Sequence, residues 1–275
     1  MQQNNSQHHD EWLTTATTIA HQAGEIIWRY YRQAETVIHT KGGDSRDLVT
    51  NADLEVDTTI RGALAAAFPD HAILSEEAYQ PGDELDDDVP TWLVDPIDGT
   101  NNFTHRLPWF AISIALHHTG QSQLAVIYAP ILEYTFTAVL GQGAFLNGKP
   151  LRVTPQTDIR QALVGCDWPR QPHLRELQLA SLTTFAEDVL AIRSLGCASL
   201  NLAAVAAGWL DVYFNYSLWP WDTGAGSLLV QEAGGHITPL DGTPWRATSP
   251  TTLASNRHLH QAAAKIIAPH LPTHQ

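Results

Sequence analysis

Residues 92–103 read Trp-Leu-Val-Asp-Pro-Ile-Asp-Gly-Thr-Asn-Asn-Phe, and this stretch is the most informative part of the chain. Three apolar residues run into two carboxylates, Asp95 and Asp98, which are separated by Pro96 and Ile97. An apolar run that ends in a proline-broken turn is typical of a buried strand at its carboxyl end. Because open α/β sheets place their ligand sites at that edge, the stretch predicts an α/β fold with a site where this strand ends.

The two carboxylates of this stretch indicate a cation site. Pro96 fixes one backbone angle and Gly99 frees another, so the turn is both stiff and sharply bent. Two acids held so close repel each other unless a cation lies between them, and oxygen ligands suit a hard metal ion. The alternative is a plain Asp-Pro or Asp-Gly turn that closes a strand, which is the commoner role of either dipeptide alone.

Length, composition and charge limit the class of protein. The 275 residues are enough for one large domain or two closely packed halves, and 44% apolar with 16% charged residues is a globular composition. A formal net charge of −14 argues against nucleic acids and anionic membranes as partners. An acidic protein can still act on phosphates when bound cations supply the positive field locally.

The cysteines and the N-terminal residues indicate the cellular compartment in which the protein is expected. Cys166 and Cys197 form neither a disulfide framework nor a CxxC metal pattern, so we expect buried apolar residues in a reducing compartment rather than catalytic thiols. The first twelve residues lack a basic patch followed by an apolar core, and no run approaches the ~18 apolar residues of a membrane span. We therefore expect a soluble, cytoplasmic protein.

The periodicity of apolar residues predicts alternating helices and strands. A helix is expected from Asp10, as N-cap, to Arg32, and a second one over residues 52–68. The acidic, turn-rich residues 81–90 predict a solvated loop. Strands are predicted over 72–75, 110–117, 123–129, 133–140, 163–166, 189–194 and 212–215, helices over 198–210 and 223–233, and one strand-like and one helical piece over 253–267. This loose alternation is typical of a layered α/β architecture with mixed sheets.

Two glycine-containing segments are predicted to be irregular. Residues 41–46, which begin with Lys41, are predicted to be a loop, and residues 141–150 a turn of hairpin character. The run from Gly141 to Phe145 lacks both the Walker ending and the G-x-G-x-x-G spacing, so we interpret it as structural rather than phosphate-binding.

Further acidic residues stand at the ends of predicted elements. Asp53 lies at the start of the second helix, Glu76 and Glu77 directly follow a strand, and Asp222 opens a helix after a proline. Taken singly, Asp53 and Asp222 are more commonly helix-capping residues, and a Glu-Glu pair usually lies on the surface. Each position alone therefore leaves a structural and a functional interpretation open.

Taken together, these stretches resemble the inositol monophosphatase family, and they follow one another in that family's order over nearly the whole chain. The matching motifs occupy residues 48–53, 73–77, 92–103, 141–148, 193–211 and 220–235. The resemblance implies a mixed α/β fold of alternating layers, αβαβα. It also implies a single domain over 1–275, with halves of about 1–150 and 151–275, and a homodimer.

The resemblance further implies a magnesium-dependent, lithium-sensitive phosphatase with two or three Mg²⁺ ions in each site. The metal ligands would be the carboxylates of Glu76, Asp95, Asp98 and Asp222 and the main-chain carbonyl of Ile97. Mg²⁺ prefers such oxygen ligands and usually keeps some waters, one of which would be the nucleophile.

Catalytic and substrate-binding roles are also implied by the resemblance. Thr100, hydrogen-bonded to Asp53, would orient the water and help to deprotonate it, with Glu76 as a metal-bound assistant. Family members specific for inositol have a glutamate where this chain has Asn215, so the pocket is expected to discriminate less between polyol phosphates. The expected substrate-binding residues are Asp98, Gly99, Thr100, Gly196, Cys197, Ala198, Asn215 and Asp222.

The function predicted in this way is hydrolysis of inositol 1-phosphate, or a similar small polyol phosphate, by direct attack of metal-activated water. Related phosphatases that act on histidinol phosphate, fructose 1,6-bisphosphate or 3′-phosphoadenosine 5′-phosphate remain alternatives. A different class of function is a non-catalytic regulator that keeps the fold and binds a partner protein. The expected partner is a small phosphorylated polyol, not a nucleic acid or a membrane.

Overall fold

The computed structural model describes residues 2–33, 38–40 and 48–271, with side chains from residue 9 onwards, so the predicted loop from Lys41 lies outside the described residues. The helices are α1 Gln2–Arg32, α2 Asn51–Ala67, α3 Thr100–Thr104, α4 Pro172–Asp188, α5 Ala198–Ala206, α6 Pro220–Glu232 and α7 His260–Ile267. The strands are β1 Ile38–Thr40, β2 Leu48–Thr50, β3 Ala72–Ser75, β4 Thr91–Asp98, β5 Ala111–His118, β6 Gln121–Ala129, β7 Tyr134–Val139, β8 Gly143–Leu146, β9 Lys149–Pro150, β10 Leu163–Cys166, β11 Ala191–Ser194, β12 Val212–Asn215, β13 His236–Thr238 and β14 Thr252–Ser255.

Two helices form the first layer. α1 and α2 pack against each other and against one face of the larger sheet, with apolar side chains at helical spacing turned inwards, namely Ala16, Ala20, Ala23, Ile27, Val56, Ile60 and Leu64. The predicted N-cap at Asp10 is wrong, because its main-chain carbonyl accepts a hydrogen bond from Thr14 Oγ1 at 2.8 Å inside α1. The polar residues before Asp10 continue the helix without adding apolar periodicity. The apolar pattern therefore predicted a helix start that lies several residues after the actual one.

The larger sheet has seven strands in the order β3-β4-β5-β6-β7-β8-β9. β3 runs parallel to β4, and every other neighbouring pair is antiparallel. All eight residues of β4 are buried, which explains why Trp92, Leu93 and Val94 follow one another without an alternating polar residue. The hairpin predicted over 141–150 is present as β8 and β9.

The smaller sheet has five strands in the order β11-β10-β12-β14-β13, with β10 parallel to both of its neighbours. α5 and α6 contact both sheets and fill the space between them, whereas α4 and α7 cover the other face of the smaller sheet. The layers therefore run α1/α2, seven strands, α5/α6, five strands, α4/α7. This arrangement confirms the predicted αβαβα fold.

One long helix, α4, was not predicted. Its buried side chains are Gln178, Ser181 and Phe185, so polar residues occupy part of its inward face. Ser181 is satisfied by a hydrogen bond with the hydroxyl of Tyr216 at 2.7 Å. Leu174, Leu177 and Leu182 also pack on this side of α4, but Gln178 and Ser181 interrupt the apolar stripe by which a helix is recognised in a sequence.

The larger sheet ends at Pro150 and the smaller sheet begins at Leu163. The expected single domain over 1–275, with halves that meet near residue 150, stays a prediction. Within the described ranges, no helix has both the length and the apolar character needed to span a membrane.

Candidate functional site

The end of β4 is a bulge that carries two acids. Asp95 lies opposite Ser113 of β5, and Asp98 lies opposite Ala111, so the register shifts between them. The main-chain N–H of Ile97 donates to Asp95 Oδ1 at 3.0 Å and holds the bulge closed. A bulge re-aims side chains at the end of a strand, and here it places both carboxylates in the wall of one cavity.

The turn after β4 requires glycine at position 99. Gly99 has φ +92°, and a Cβ atom there would lie 3.1 Å from the carbonyl oxygens of Gly196 and Trp109. Asn102 connects the segment before β5 with the segment before α5, since its Nδ2 donates to the carbonyls of Trp109 and Leu195, both at 2.7 Å. The absence of a side chain at Gly99 therefore brings the segment before α5 into the site.

The cavity at this point has a volume of about 980 Å³. Most residues predicted from the sequence lie in its wall, namely Glu76, Asp95, Ile97, Asp98, Gly99, Thr100, Gly196, Ala198, Asn215 and Asp222. Asp53 and Cys197 do not line it. Each contacts a lining residue instead, since Asp53 accepts from Thr100 and Cys197 donates to Asp98.

Asp53 has two structural tasks. It completes a capping box at the start of α2, where its Oδ2 accepts from the main-chain N–H of Thr50 at 2.8 Å and from the Thr50 hydroxyl. Its Oδ1 accepts from Thr100 Oγ1 at 3.2 Å. The helix-cap and functional interpretations of Asp53 are therefore compatible, because each uses a different oxygen.

Asp98 is a buried carboxylate at the base of the cavity. Its Oδ2 accepts from the main-chain N–H of Ser199 at 2.6 Å and from Cys197 Sγ at 3.2 Å. Burial raises the pKa of Asp98 to about 6, although the hydrogen bonds from Ser199 and Cys197 oppose the shift. Burial also raises the pKa of the Cys197 thiol well above its usual value, so this cysteine is a protonated donor rather than a nucleophile.

Asp222 approaches the same cavity from α6. It is the third residue of the helix, after Pro220 at the first position, and its Oδ2 accepts from the main-chain N–H of Trp219 at 2.7 Å. Burial raises the pKa of Asp222 strongly, the negative charges of Asp98 and Glu76 raise it further, and the hydrogen bond from Trp219 and the charge of Arg170 oppose them. The carboxylates of Asp98, at the end of β4, and of Glu76, just after β3, therefore lie near enough to Asp222 for their charge to act on it.

These acids fit hard cations by the chemistry of their donor atoms. Across residues 9–33, 38–40 and 48–271, no three Asp, Glu, His or Cys side chains are already gathered into a metal-binding group. Instead Asp95, Asp98 and Asp222 each turn one oxygen towards a main-chain N–H. Carboxylates that repel one another at the wall of a cavity are nevertheless the ligands that Mg²⁺ prefers, and bound cations would relieve the repulsion.

Asp167, which no motif in the sequence indicated, also lines the cavity. Its Oδ1 accepts from the main-chain N–H of Gly196 at 2.6 Å, and its Oδ2 accepts from Asn201 Nδ2 and the Tyr213 hydroxyl, both at 2.8 Å. Burial raises the pKa of Asp167, and the Tyr213 hydrogen bond is the strongest opposing influence. Asp167 directly follows β10, as Glu76 follows β3, and this position was the signal that could have identified it.

Asn215 is held by a hydrogen-bond network that starts at Asp167. The Tyr213 hydroxyl donates to Asp167, so its oxygen accepts from Asn215 Nδ2, at 3.1 Å. The main-chain N–H of Ser217 donates to Asn215 Oδ1 at 2.9 Å. Both partners require the same orientation of the amide, so Asp167 fixes which end of Asn215 faces each neighbour.

The segment between β10 and α4, together with the start of α4, adds positive charge and an aromatic ring to the wall. Trp168, Arg170 and Arg175 line the cavity, and Arg175 Nε donates to the carbonyl of Pro169 at 2.7 Å. No motif in the sequence indicated these three residues, which lie outside the family's matching stretches. The wall of the cavity thus combines a group of carboxylates with two arginines and an aromatic ring.

Comparison with known proteins assigns the family. Residues 8–273 match the model of the inositol monophosphatase family, and the chain belongs to that family. The chain is 38% identical to "Nus factor SuhB" of Pseudomonas aeruginosa over 94% of this chain and 97% of that protein. It is 34% identical to "Inositol monophosphatase" of Dictyostelium discoideum over 94% of this chain and 95% of that one.

A solved structure confirms the fold as well. The inositol monophosphatase (IMPase) of Thermotoga maritima superposes with a TM-score of 0.84 at 31% identity, covering 94% of this chain and 98% of that one. The resemblance noted from the sequence motifs is thus confirmed over most of the chain.

Proposed function

We propose that this chain is a magnesium-dependent phosphomonoesterase that hydrolyses inositol 1-phosphate or a similar small polyol phosphate. The observation that carries the proposal is the convergence on one cavity of four carboxylates, from Glu76, Asp95, Asp98 and Asp222, beside a hydrogen-bonded Thr100. Family membership supports the same reaction class.

The proposed metal ligands are those four carboxylates and the main-chain carbonyl of Ile97. When bound, Mg²⁺ supplies charge neutralisation on the phosphate oxygens and lowers the pKa of a coordinated water. Within the protein, Thr100 Oγ1 donates a hydrogen bond to Asp53, so its oxygen is free to accept a hydrogen bond from the attacking water. Glu76 accepts a proton from the same water, and no covalent intermediate on the protein is required.

Substrate recognition is divided between two parts of the wall. The main-chain N–H groups of Gly99 and Thr100 hold phosphate oxygens, because the turn after β4 leaves the backbone bare at that point. The leaving alcohol faces Gly196, Ala198 and Asn215 on the opposite wall. Asn215 can offer a neutral amide there, and this suits a range of polyols rather than a single one.

One panel assay tests the proposal. Phosphate release is measured with inositol 1-phosphate, glycerol 2-phosphate, histidinol phosphate, fructose 1,6-bisphosphate and 3′-phosphoadenosine 5′-phosphate, each with Mg²⁺ and with EDTA. We expect Mg²⁺-dependent turnover with inositol 1-phosphate among the best substrates. Full turnover in EDTA would overturn the metal mechanism, and a strong preference for another phosphate would select the corresponding alternative.

A second role is favoured by the 38% identity with a protein named a Nus factor. We infer that this chain can act in the same way as that SuhB protein, with or without its hydrolytic activity. The test is replacement of SuhB in Pseudomonas aeruginosa by the wild-type chain and by Asp95→Asn. Equal rescue by both would separate this role from catalysis, and no rescue by either would exclude it.

A homodimer, a cytoplasmic location and the lack of a nucleic-acid partner stay predictions.

A further inference from the structure

A second cavity, of about 700 Å³, adjoins the catalytic cavity and shares Trp219 and Trp221 with it. Its wall is largely apolar and comes from the loop after β3, the start of α4 and the segments around residues 216–221 and 248–251. None of the carboxylates proposed as metal ligands lines it. Cavities of this size are typical of sites for small organic molecules, and the proposed reaction leaves this one without a ligand.

Three aromatic rings form one group in the wall of the second cavity. Trp219 and Trp221 stack with their ring centres 5.2 Å apart and 6° between their planes, and Tyr79 packs on them at 5.3 Å and 5.4 Å. Trp219 is 44% exposed, so much of its ring surface is open to a ligand. The face of an aromatic ring is electron-rich and attracts a cation that lies within about 6 Å of the ring centre.

Two carboxylates, those of Asp83 and Glu84, line the same cavity, and none of its described lining residues is a lysine or an arginine. Asp83 Oδ2 accepts from the main-chain N–H of Gln80 at 2.8 Å and closes a turn in the loop. Tyr79 and Leu85, on either side of this turn, pack against the core between the two sheets. The two acids are therefore held at the cavity, and no lysine or arginine of the same wall balances their charge.

We propose that the second cavity binds an organic cation, namely a substituted ammonium group carried on a small apolar body. The ammonium group lies against the rings of Tyr79 and Trp219 with its charge towards Asp83 and Glu84, and the apolar body fills the space beside Leu174. An anion would be repelled by both the ring faces and the carboxylates. A strongly hydrated inorganic cation would gain nothing from the apolar wall. This site is separate from hydrolysis, so the inference does not rest on the proposed function.

The test compares choline with 3,3-dimethylbutan-1-ol, which has the same shape but no charge. Binding to the full chain is measured by ligand-observed NMR titration, with Mg²⁺ and inorganic phosphate present to occupy the catalytic cavity. We expect choline to bind at least about fivefold more tightly than the neutral alcohol. Equal binding of the two compounds, or no binding of choline, would overturn the proposal.

Two substitutions locate the cation without touching the catalytic cavity, which neither residue lines. Tyr79→Leu removes one ring, and Glu84→Gln removes one charge at nearly constant shape. We expect each to lower the preference for choline over the alcohol by about threefold or more. Tyr79→Phe keeps the ring and should retain the wild-type preference.

Asp88→Asn is the matched control for charge, because Asp88 is exposed in the same loop but does not line the second cavity. It should bind both compounds as wild type does. A preference that persists in Tyr79→Leu and Glu84→Gln would reject the site, and if Tyr79→Leu fails to fold, the exposed Glu84→Gln decides alone. Loss of the preference in Asp95→Asn would assign the cation to the catalytic carboxylates instead and would equally reject the site.

Discussion

Thr100 Oγ1 lies 3.2 Å from Asp53 Oδ1, although the two residues are 47 positions apart in the chain. The same hydroxyl lies 3.1 Å from the main-chain carbonyl of Ile97. A hydroxyl has one hydrogen to donate, so these two acceptors compete for it. If the Ile97 carbonyl is taken up as a metal ligand, the hydrogen is left to Asp53, and the Thr100 lone pair is directed to the water.

Thr100→Val tests this arrangement, because valine keeps the shape but removes the hydroxyl. We expect kcat to fall by about 100-fold or more, equivalent to ~2.7 kcal/mol, with little change in KM. Thr104→Val is the control in the same helix, since Thr104 Oγ1 contacts the carbonyl of Asn101 at 2.9 Å and His105 Nδ1 at 3.2 Å, and Thr104 does not line the cavity. A rise in KM at unchanged kcat would make Thr100 a binding residue alone.

Asp95→Asn removes one negative charge from the proposed metal site in a nearly isosteric way. We expect turnover to fall by about 100-fold or more and the fold to survive. Added Mg²⁺ should raise the Tm of wild type, because it binds only the folded protein, and should raise that of the variant less. The exposed Asp158→Asn should behave as wild type in both assays. Equal Mg²⁺ stabilisation of Asp95→Asn would remove Asp95 from the ligand set.

Tyr213→Phe breaks the link between Asp167 and Asn215 without touching the cavity wall. The Asn215 amide then loses one of its two fixed partners, so the ratio of kcat/KM for inositol 1-phosphate over glycerol 2-phosphate should shift by about threefold to fivefold. Tyr216→Phe is the matched control, because Tyr216 is also buried and its hydroxyl contacts Ser181 instead. If both variants leave the ratio unchanged, the network does not set specificity.

Gly99→Ala separates crowding from backbone strain when it is compared with Gly141→Ala. Both glycines have positive φ, +92° and +75°, so alanine costs ~1–2 kcal/mol of strain at either position. A Cβ at position 99 also meets two carbonyl oxygens at 3.1 Å, whereas nothing lies within 4 Å at position 141. We expect a larger loss of unfolding free energy, and loss of activity, for Gly99→Ala alone. Equal losses in denaturation would refute the crowding argument.

The burial of His260, which lies away from the active site, is expected to make the stability of the fold depend on pH. His260 lies between Thr238, 3.0 Å from its Nε2, and Ser255, 2.9 Å from its Nδ1, and burial lowers its pKa to about 4. The unfolded chain binds the proton near pH 6.5, so stability is complete above that pH and falls as the pH drops towards 4.

The measurement is the free energy of unfolding of wild type and His260→Gln between pH 4 and 8. The wild-type slope should exceed that of the variant by up to ~1.4 kcal/mol per pH unit in this window. The exposed His258→Gln serves as control and should retain the wild-type slope. Parallel curves for wild type and His260→Gln would show that His260 is protonated equally in both states.

Much of the secondary structure followed from the sequence, because it depends on neighbours a few residues apart. The helix predicted over 52–68 is present as Asn51–Ala67, and the strands predicted over 72–75, 163–166 and 212–215 are present with the same bounds. Local periodicity failed where polar residues share the buried face, as in α4, or where polar residues extend a helix, as at the start of α1. In neither place does an unbroken apolar stripe mark the helix in the sequence.

The family, the layered fold class and the positions of the acids at the ends of elements follow from the sequence, since motifs and strand ends are local properties. Which residues meet depends instead on the packing of distant segments. This packing joins Asp53 to Thr100, places Gly196 against Gly99, and gives Asp167 its partners Gly196, Asn201 and Tyr213. Such contacts depend on how two sheets and the helices between them pack, and no spacing within a single segment encodes that packing.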